Sequence, residues 1–528
     1  MPKQVIKSSA DKIVEMVLRD GYELYVDEKG DPLIVRPDSP MVARSIKSKQ
    51  IRGYVSKLHW EVLHKSIQAH TVDSVITTLE GIASSSGERK EVFNRVAYLD
   101  GIIYYDVGDD KHVIEITKDG WAVKTSCSVL FRRYQHQIAQ ELPIEGGDLK
   151  NICNYLNVST EAHKILLTTY LPVALFPDIA RQLLLMHGPQ GSGKSTALSL
   201  IRSLIDPSVI PLLTPPTNNL DISRDANHNY CFYLDNVSGI DQKLSDAMCR
   251  LVTGSSLTKR ELYSDDEDVI YRLKRAVGLN GVAQFANNPD LLDRCLIVQL
   301  ERISEHDRRL DNELQEQFNL EKPKLLGALY SAIAGILASL DEVKSFGLTL
   351  PRMADYYLHA ATASQVIGFG VEGFVDAYNR NVDEQNQESI NASTVGILLL
   401  DFMTIHGDCW QGSASTLYSA LSELADGNST LSKYPRSPAW IWRKIQEIKP
   451  TLESIGILAD KDDSVRPRRI ILTKTEKFKP VPSDQLPHSP LDYTQPANTT
   501  STKATEYSTP HVSKEEYLKR KEARYSCN

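Results

Sequence analysis

Cysteine is scarce in this chain. The seven thiols in 528 residues are Cys127, Cys153, Cys231, Cys249, Cys295, Cys409 and Cys527, and none stands in a Cys-x-x-Cys pair. An odd, scattered set argues against a disulfide framework or a thiolate zinc site and fits buried thiols in a reducing compartment. A surplus of positive charge is also missing. Lys plus Arg number 60 against 68 Asp plus Glu, a net charge of -8. Binding of nucleic acid by bulk charge is thereby excluded, and any such contact must come from a local basic surface. Long apolar runs are absent too. The most apolar stretch, Ile165 to Phe176, is too short to cross a bilayer and is interrupted by Pro172. No apolar signal core follows Met1-Pro2-Lys3-Gln4, so the expectation is a cytoplasmic protein without a membrane partner.

What remains is an ordinary globular composition, 41% apolar and 24% charged, long enough for several domains. Residues 1–145 read as an α+β region. Tyr22 to Val26 and Leu33 to Arg36 alternate as strands around the turn residues 27–31, and four short strands between 95 and 125 suggest a β-meander. Asp106, Asp109 and Asp110 fall in its turns, where turn chemistry accounts for them better than a metal cluster does. Residues 146–310 carry the nucleotide signals described below. Residues 311–408 are a run of helices, with Leu325, Leu326, Leu329, Ile333 and Ile336 at helical spacing. Residues 409–478 form a small mixed unit. The Ser, Thr, Pro and Asn-rich segment 479–528 has too few apolar residues to bury a core, so it is predicted to be disordered.

The strongest signal is Gly188-Pro189-Gln190-Gly191-Ser192-Gly193-Lys194-Ser195, with Thr196 next. It follows the apolar run Gln182 to Met186 and opens a helix from about Lys194 to Ile205, which is the context a phosphate-binding loop needs. Glycines let backbone N–H groups turn inward around phosphates, and the helix N-terminus adds its positive dipole end. Lys194 is placed to reach the β- and γ-phosphates of ATP, and the Ser195 hydroxyl to ligate Mg²⁺. Cys231-Phe232-Tyr233-Leu234-Asp235 reads as a buried parallel strand that ends in a second magnesium ligand. A third strand, Ala276 to Leu279, ends in Asn280, which reads either as a turn residue before Gly281 or as a group positioning water. Arg294, in Leu291-Leu292-Asp293-Arg294, reads as an arginine directed at a neighbour's γ-phosphate or as an ion pair with Asp290 or Asp293. Arg352 is a candidate nucleotide-sensing arginine or a plain surface residue.

This order of motifs resembles AAA+ ATPases, and among them superfamily 3 and related helicases of viruses, phages, plasmids and other mobile elements. Cys249 to Gly254 followed by Lys259-Arg260 resembles an extra motif of those helicases. The run Leu183 to Arg302 is similar to ATP-binding proteins found beside primase domains on bacterial mobile elements. The resemblance implies an α/β fold with a P-loop AAA+ parallel-sheet core, a helical lid, and a homo-oligomeric ring, often a hexamer. It implies catalytic roles for Lys194, Asp235, Asn280 and Arg294, a cofactor pair of ATP and Mg²⁺, and an ATP-dependent helicase or translocase on single-stranded DNA, with a separate primase as a further partner. Two departures stand out. Asp235 is followed by Asn236 where many AAA+ enzymes carry a glutamate base. The hairpin expected between Lys259 and Arg275 has an acidic tip, Ser264 to Asp268. Both favour the alternative of a P-loop switch whose ATP-driven assembly controls a protein partner.

The last folded unit reads as a winged helix. Ser415 to Leu424 is one helix, and Ser437-Pro438 opens a second, with Ser437 as its N-cap. Strands at Gly456 to Leu458 and Arg469 to Leu472 form the wing. Between Lys433 and Arg469 there are nine basic and five acidic residues, a local net of +4. Arg443, Lys444, Arg468 and Arg469, together with Lys259 and Arg260 of the hairpin, are the predicted DNA contacts.

Overall fold

The computed structural model describes residues 8–478 except 159, 255, 261–267, 282–288, 307, 392, 427–436 and 466–467. The predicted disordered segment 479–528 and Cys527 lie outside the described residues, as does most of the acidic hairpin tip.

The chain begins with a mixed sheet backed by helices. Strands Glu23–Val26, Pro32–Arg36 and Ser39–Ser45 pair antiparallel in succession, and the short strand Leu130–Arg132 returns to run parallel beside Ser39–Ser45. Helices Ser9–Arg19, Lys49–Leu63 and Ala69–Ser86 bury Ile13, Val17, Val55 and Leu79 against Ile34. Next comes a four-stranded antiparallel meander of Val96–Leu99, Ile102–Asp106, Val113–Thr117 and Gly120–Lys124. Its apolar face does not close on itself. Ile103, Tyr105, Ile114 and Ile116 enter the same core as Leu184, Ile201 and Leu329. The meander is therefore packed into the nucleotide-motif body. The turn carboxylates are spent on structure: Asp106 pairs with Arg133, Asp109 accepts from the backbone N–H groups of Lys111 and His112, and Asp110 pairs with Arg44 and Arg133. Among the described residues no metal-binding group of three such side chains occurs.

The central sheet has four parallel strands in the spatial order Cys231–Val237, Ala276–Gly281, Leu183–His187, Cys295–Gln299. These strands read as nearly continuous apolar runs because both faces are covered. Leu184 and Met186 point into one core with helices Glu161–Val173 and Lys194–Ile205. Leu183 and Leu185 point into the other, with Asn219–His228 and Gln242–Thr253. The period-2 alternation of a strand thus feeds two helical layers.

Helices Asp311–Lys344, Ala354–Ile367 and Val371–Asn391 follow. Asp311–Lys344 is long and apolar enough to span a bilayer, but half of its apolar window is buried inside the protein, as befits a core helix. It also carries a buried cation. Burial pushes Lys322 down to about 8, with Glu141 opposing and Arg95 adding to the shift. In an unfolded chain the same ammonium titrates near 10.4. Between those two values the unfolded state holds more protons, so stability rises with pH, and below the lower value the full cost of roughly 3 kcal/mol is present. We expect Lys322→Met to raise the melting temperature at pH 7 and to lose most of that advantage by pH 10. Thermal denaturation at the two pH values checks this; equal gains at both would refute it.

The C-terminal unit packs Thr394–Ile405, Ala414–Asp426 and Ala439–Ser454 against a three-stranded antiparallel sheet ordered Cys409–Ser413, Arg469–Lys474, Ile457–Asp462. Ile441, Ile445 and Ile448 are buried in its core. The expected Ser437 cap is a misreading. The N-cap is Pro438, which already has helical dihedrals (φ -56°, ψ -29°), and no side-chain cap hydrogen bond forms. The turn closes instead through the Ser437 carbonyl, which accepts from the Trp440 N–H at 3.2 Å.

Candidate active site

In a parallel sheet the C-terminal strand ends and the loops beyond them form one edge, which is where ligands bind in open α/β folds. The strand Leu183–His187 delivers the Gly188–Ser195 loop to that edge. Gly188 and Gly193 have φ of 153° and 79°, conformations that L side chains seldom adopt. At Gly188 space excludes a side chain as well, since a Cβ would sit 2.4 Å from the Leu300 carbonyl oxygen. Gly193 is the N-cap of Lys194–Ile205 and has no side chain with which to cap the first N–H groups of the helix.

The neighbouring strands bring Asp235 and Asn280 to the same place. Ser195 Oγ donates to Asp235 Oδ1 at 2.7 Å, and Asn280 Nδ2 donates to the same oxygen at 2.8 Å and to Ser195 Oγ at 3.2 Å. Asn280 is buried and held from its other side, where its Oδ1 accepts from the Asn236 backbone N–H at 2.6 Å. Asn236 has a left-handed φ of 51° at an irregularity in the strand, and its side chain is exposed. Its backbone thus fixes the rotamer of Asn280, a contribution with no signature in the sequence. Lys194 Nζ donates to the Gly188 and Pro189 carbonyls at 2.8 Å each, and burial lowers its pKa from the ordinary lysine value. The Ser192 hydroxyl is buried in the loop with no hydrogen-bond partner among the described residues. Pro189, Gln190, Gly191 and Thr196 complete the loop and the first turn of its helix.

Arg294 is not part of this cluster. It precedes Cys295–Gln299, and Cys295 is level with Leu183, so it lies at the opposite end of the sheet from Asp235 in its own chain. Its guanidinium pairs with Asp290 at 2.6 Å, and Nε is buried without a hydrogen-bond partner among the described residues. Arg352 lies before the helix Ala354–Ile367 and pairs with Asp290 at 3.0 Å and Asp293 at 2.9 Å. Burial pushes Asp290 upward, but Arg294 and then Arg352 outweigh it and hold the carboxyl below its usual range. Asp290 is thus a shared counterion for both candidate arginines.

The predicted DNA contacts are dispersed. Lys259 and Arg260 lie on Ser256–Arg260, which pairs antiparallel with Asp268–Arg272, and their side chains lie outside the described residues. In the C-terminal unit Arg443 stacks over Trp440 at 5.1 Å and approaches Glu447 at 3.8 Å, and Lys444 pairs with Glu447 at 2.6 Å. Arg468 pairs with Asp463 at 3.1 Å, and Arg469 is exposed at the start of its strand. Much of the local positive charge is therefore matched within the unit.

Residues 147–388 match the family described as actinomycete integrative conjugative element replication protein, AICE RepA, and residues 395–489 match the AICE RepA C-terminal domain. Those two stretches belong to the AICE RepA family. Among solved structures the chain is similar to the apo C-terminal region of NrS-1, with 14% identity over 88% of this chain and 98% of that one and a TM-score of 0.42. It is also similar to JCV helicase, with 11% identity over 42% of this chain and 65% of that one and a TM-score of 0.21. No curated protein matches it.

Proposed function

We propose that this RepA-family chain is an ATP-driven helicase or translocase acting on single-stranded DNA during replication of its element. The observation that carries the reading is the convergence of Lys194, Ser195, Asp235 and Asn280 at one end of the sheet. One hydroxyl and one carboxylate are hard oxygen donors that suit Mg²⁺. Ser195 and Asp235 would hold that ion, which supplies charge neutralisation at the β- and γ-phosphate oxygens. Lys194 exchanges two loop carbonyls for phosphate oxygens. Asn280, fixed by Asn236, directs its amide at the water that attacks. Arg294 acts on the site of the next subunit in a ring, in keeping with its position away from its own site.

The C-terminal unit serves as a winged helix, with Arg443, Lys444, Arg468 and Arg469 meeting DNA after exchanging their internal carboxylate partners for phosphates. The helices between 311 and 408 act as the lid. Asp235-Asn236, which lacks a second carboxylate, keeps the assembly-switch reading in play. Steady-state ATP hydrolysis with and without single-stranded DNA separates the two. We expect strong stimulation by DNA that disappears in Lys194→Ala. Hydrolysis indifferent to DNA at several salt concentrations would remove the motor and leave the switch.

A further inference from the structure

At the edge of the sheet away from the P-loop lies a second concavity. A cavity of about 580 Å³ opens between the N-terminal sheet, the meander and the nucleotide-binding body. That volume is in the range of small-ligand sites. Its wall carries four cations from three segments, Lys29, Arg132, Lys274 and Arg275, and the aromatic rings of Phe93, Tyr98 and Tyr134. Arg132 is paired with Asp27 at 2.7 Å, but Lys274 and Arg275 bond to backbone carbonyls of Asp178, Ala226 and Lys274. Glu28, Glu91 and Asp178 also line it, and burial followed by the charge of Glu28 raises Glu91. Partial burial, and after it the charge of Arg132, lowers Lys29. The wall is anchored across segments: Asn227 Nδ2 donates to Tyr134 Oη at 3.3 Å, and the rings of Tyr134 and His228 lie 4.3 Å apart.

The position of this cavity matters more than its composition. Tyr230 lines it and is the residue before Cys231–Val237. Arg275 lines it and is the residue before Ala276–Gly281. Five residues along each strand stand Asp235 and Asn280, so cavity and ATP site occupy opposite ends of the same two adjacent strands, about 17 Å apart at 3.3 Å per residue. Leu273 to Arg275 also continue directly from the hairpin strand Asp268–Arg272.

We propose that this cavity binds a nucleotide of single-stranded DNA, phosphate on Lys29 and Lys274 and base against the aromatic wall, and that the two strands carry its occupancy to Asp235 and Asn280. The assignment rests on the DNA-motor reading above and gives it a contact point distinct from the hairpin and the C-terminal unit. Cations with aromatics are the pairing that holds single strands without sequence preference. The same chemistry fits a free nucleotide, and the test distinguishes the two.

Fluorescence anisotropy of a labelled oligo-dT of about 20 nucleotides with the full chain reads the site. Lys29→Glu and Lys274→Ala are each expected to weaken binding about tenfold, and Lys274→Ala to reduce the salt slope by about one, the loss of one phosphate contact. The DNA concentration for half-maximal ATPase stimulation is expected to rise by a similar factor. Lys29 lies in an exposed turn, and Lys29→Arg is expected to bind like the unaltered protein. Unchanged affinity in both loss variants, while the unaltered chain binds and is stimulated, would overturn the cavity and leave the motor standing. Displacement of the oligonucleotide by free thymidine monophosphate would assign the cavity to free nucleotide and overturn the strand. An unaltered chain that neither binds nor responds to DNA would overturn the motor reading itself.

Discussion

Asp206→Ala is expected to destabilise the protein by about 3–5 kcal/mol or more, the range for breaking a buried ion pair from one side. Asp206 is fully buried, and it joins regions distant in sequence. Its Oδ1 accepts from Arg95 Nε at 3.1 Å, and its Oδ2 accepts from the backbone N–H groups of Tyr230 and Cys231 at 3.0 and 3.2 Å. Arg202 Nη2 is 4.0 Å away. Arg95 is also buried and donates onward to the carbonyls of Asp106, Ile138 and Pro207, at 3.1, 3.2 and 3.2 Å. Alanine would strand two guanidinium groups in a low-dielectric interior, where neither can lose its proton. Urea denaturation measures the loss, and a change under 1 kcal/mol would refute this account. pH supplies a second check. Burial alone would raise the Asp206 carboxyl, but Arg95 and Arg202 overcome it and hold the pKa below its usual value. A depressed carboxylate contributes stability above its unfolded value near 3.9 and loses it as pH falls towards the folded value. The unaltered protein should therefore weaken below about pH 4 by an increment missing from Asp206→Ala.

Asp235→Ala should cut ATP hydrolysis by roughly a hundredfold or more, about 3 kcal/mol of barrier at 1.36 kcal/mol per tenfold. The carboxylate collects Ser195 and Asn280 on one oxygen, so its removal deletes the proposed second magnesium oxygen and one of the two acceptors of the Asn280 amide, whose rotamer Asn236 still holds. Asp235 is only half-buried, so little loss of fold is expected and the melting temperature should stay within a few degrees. Single-turnover hydrolysis at saturating ATP checks the chemistry. Retained hydrolysis would place the metal carboxylate elsewhere.

Both residues also show how far the sequence could be read. Asp235 was legible because a P-loop, an apolar run and a terminal carboxylate are local patterns, each imposed by a strand buried on two faces. Strand order was not. Ala276–Gly281 lies between the acidic strand and the P-loop strand because of pairings over 44 to 94 residues, which leave no periodicity behind. In the N-terminal sheet, Leu130–Arg132 pairs with Ser39–Ser45, and a three-residue strand has no alternation to detect. Arg95 read as an ordinary residue at a strand start. Its burial follows from the meander folding onto the body that carries the nucleotide motifs, which brings Asp206 within reach from 111 positions away. Ser437 was misassigned because Ser-Pro resembles a cap followed by a first turn, and the chain closed that turn through its carbonyl.

The carboxylate of Asp290 holds the guanidinium groups of both Arg294 and Arg352. In the proposed ring, neither arginine is idle while a subunit is alone; each already has an anion. For Arg294 to reach a neighbour's triphosphate, that anion would have to compete with Asp290 for it, and a diphosphate, with less charge at that position, would compete poorly. On the proposed reading the clasp would then set a threshold on assembly, with subunits engaging fully only across an interface loaded with uncleaved nucleotide and parting once the terminal phosphate has gone.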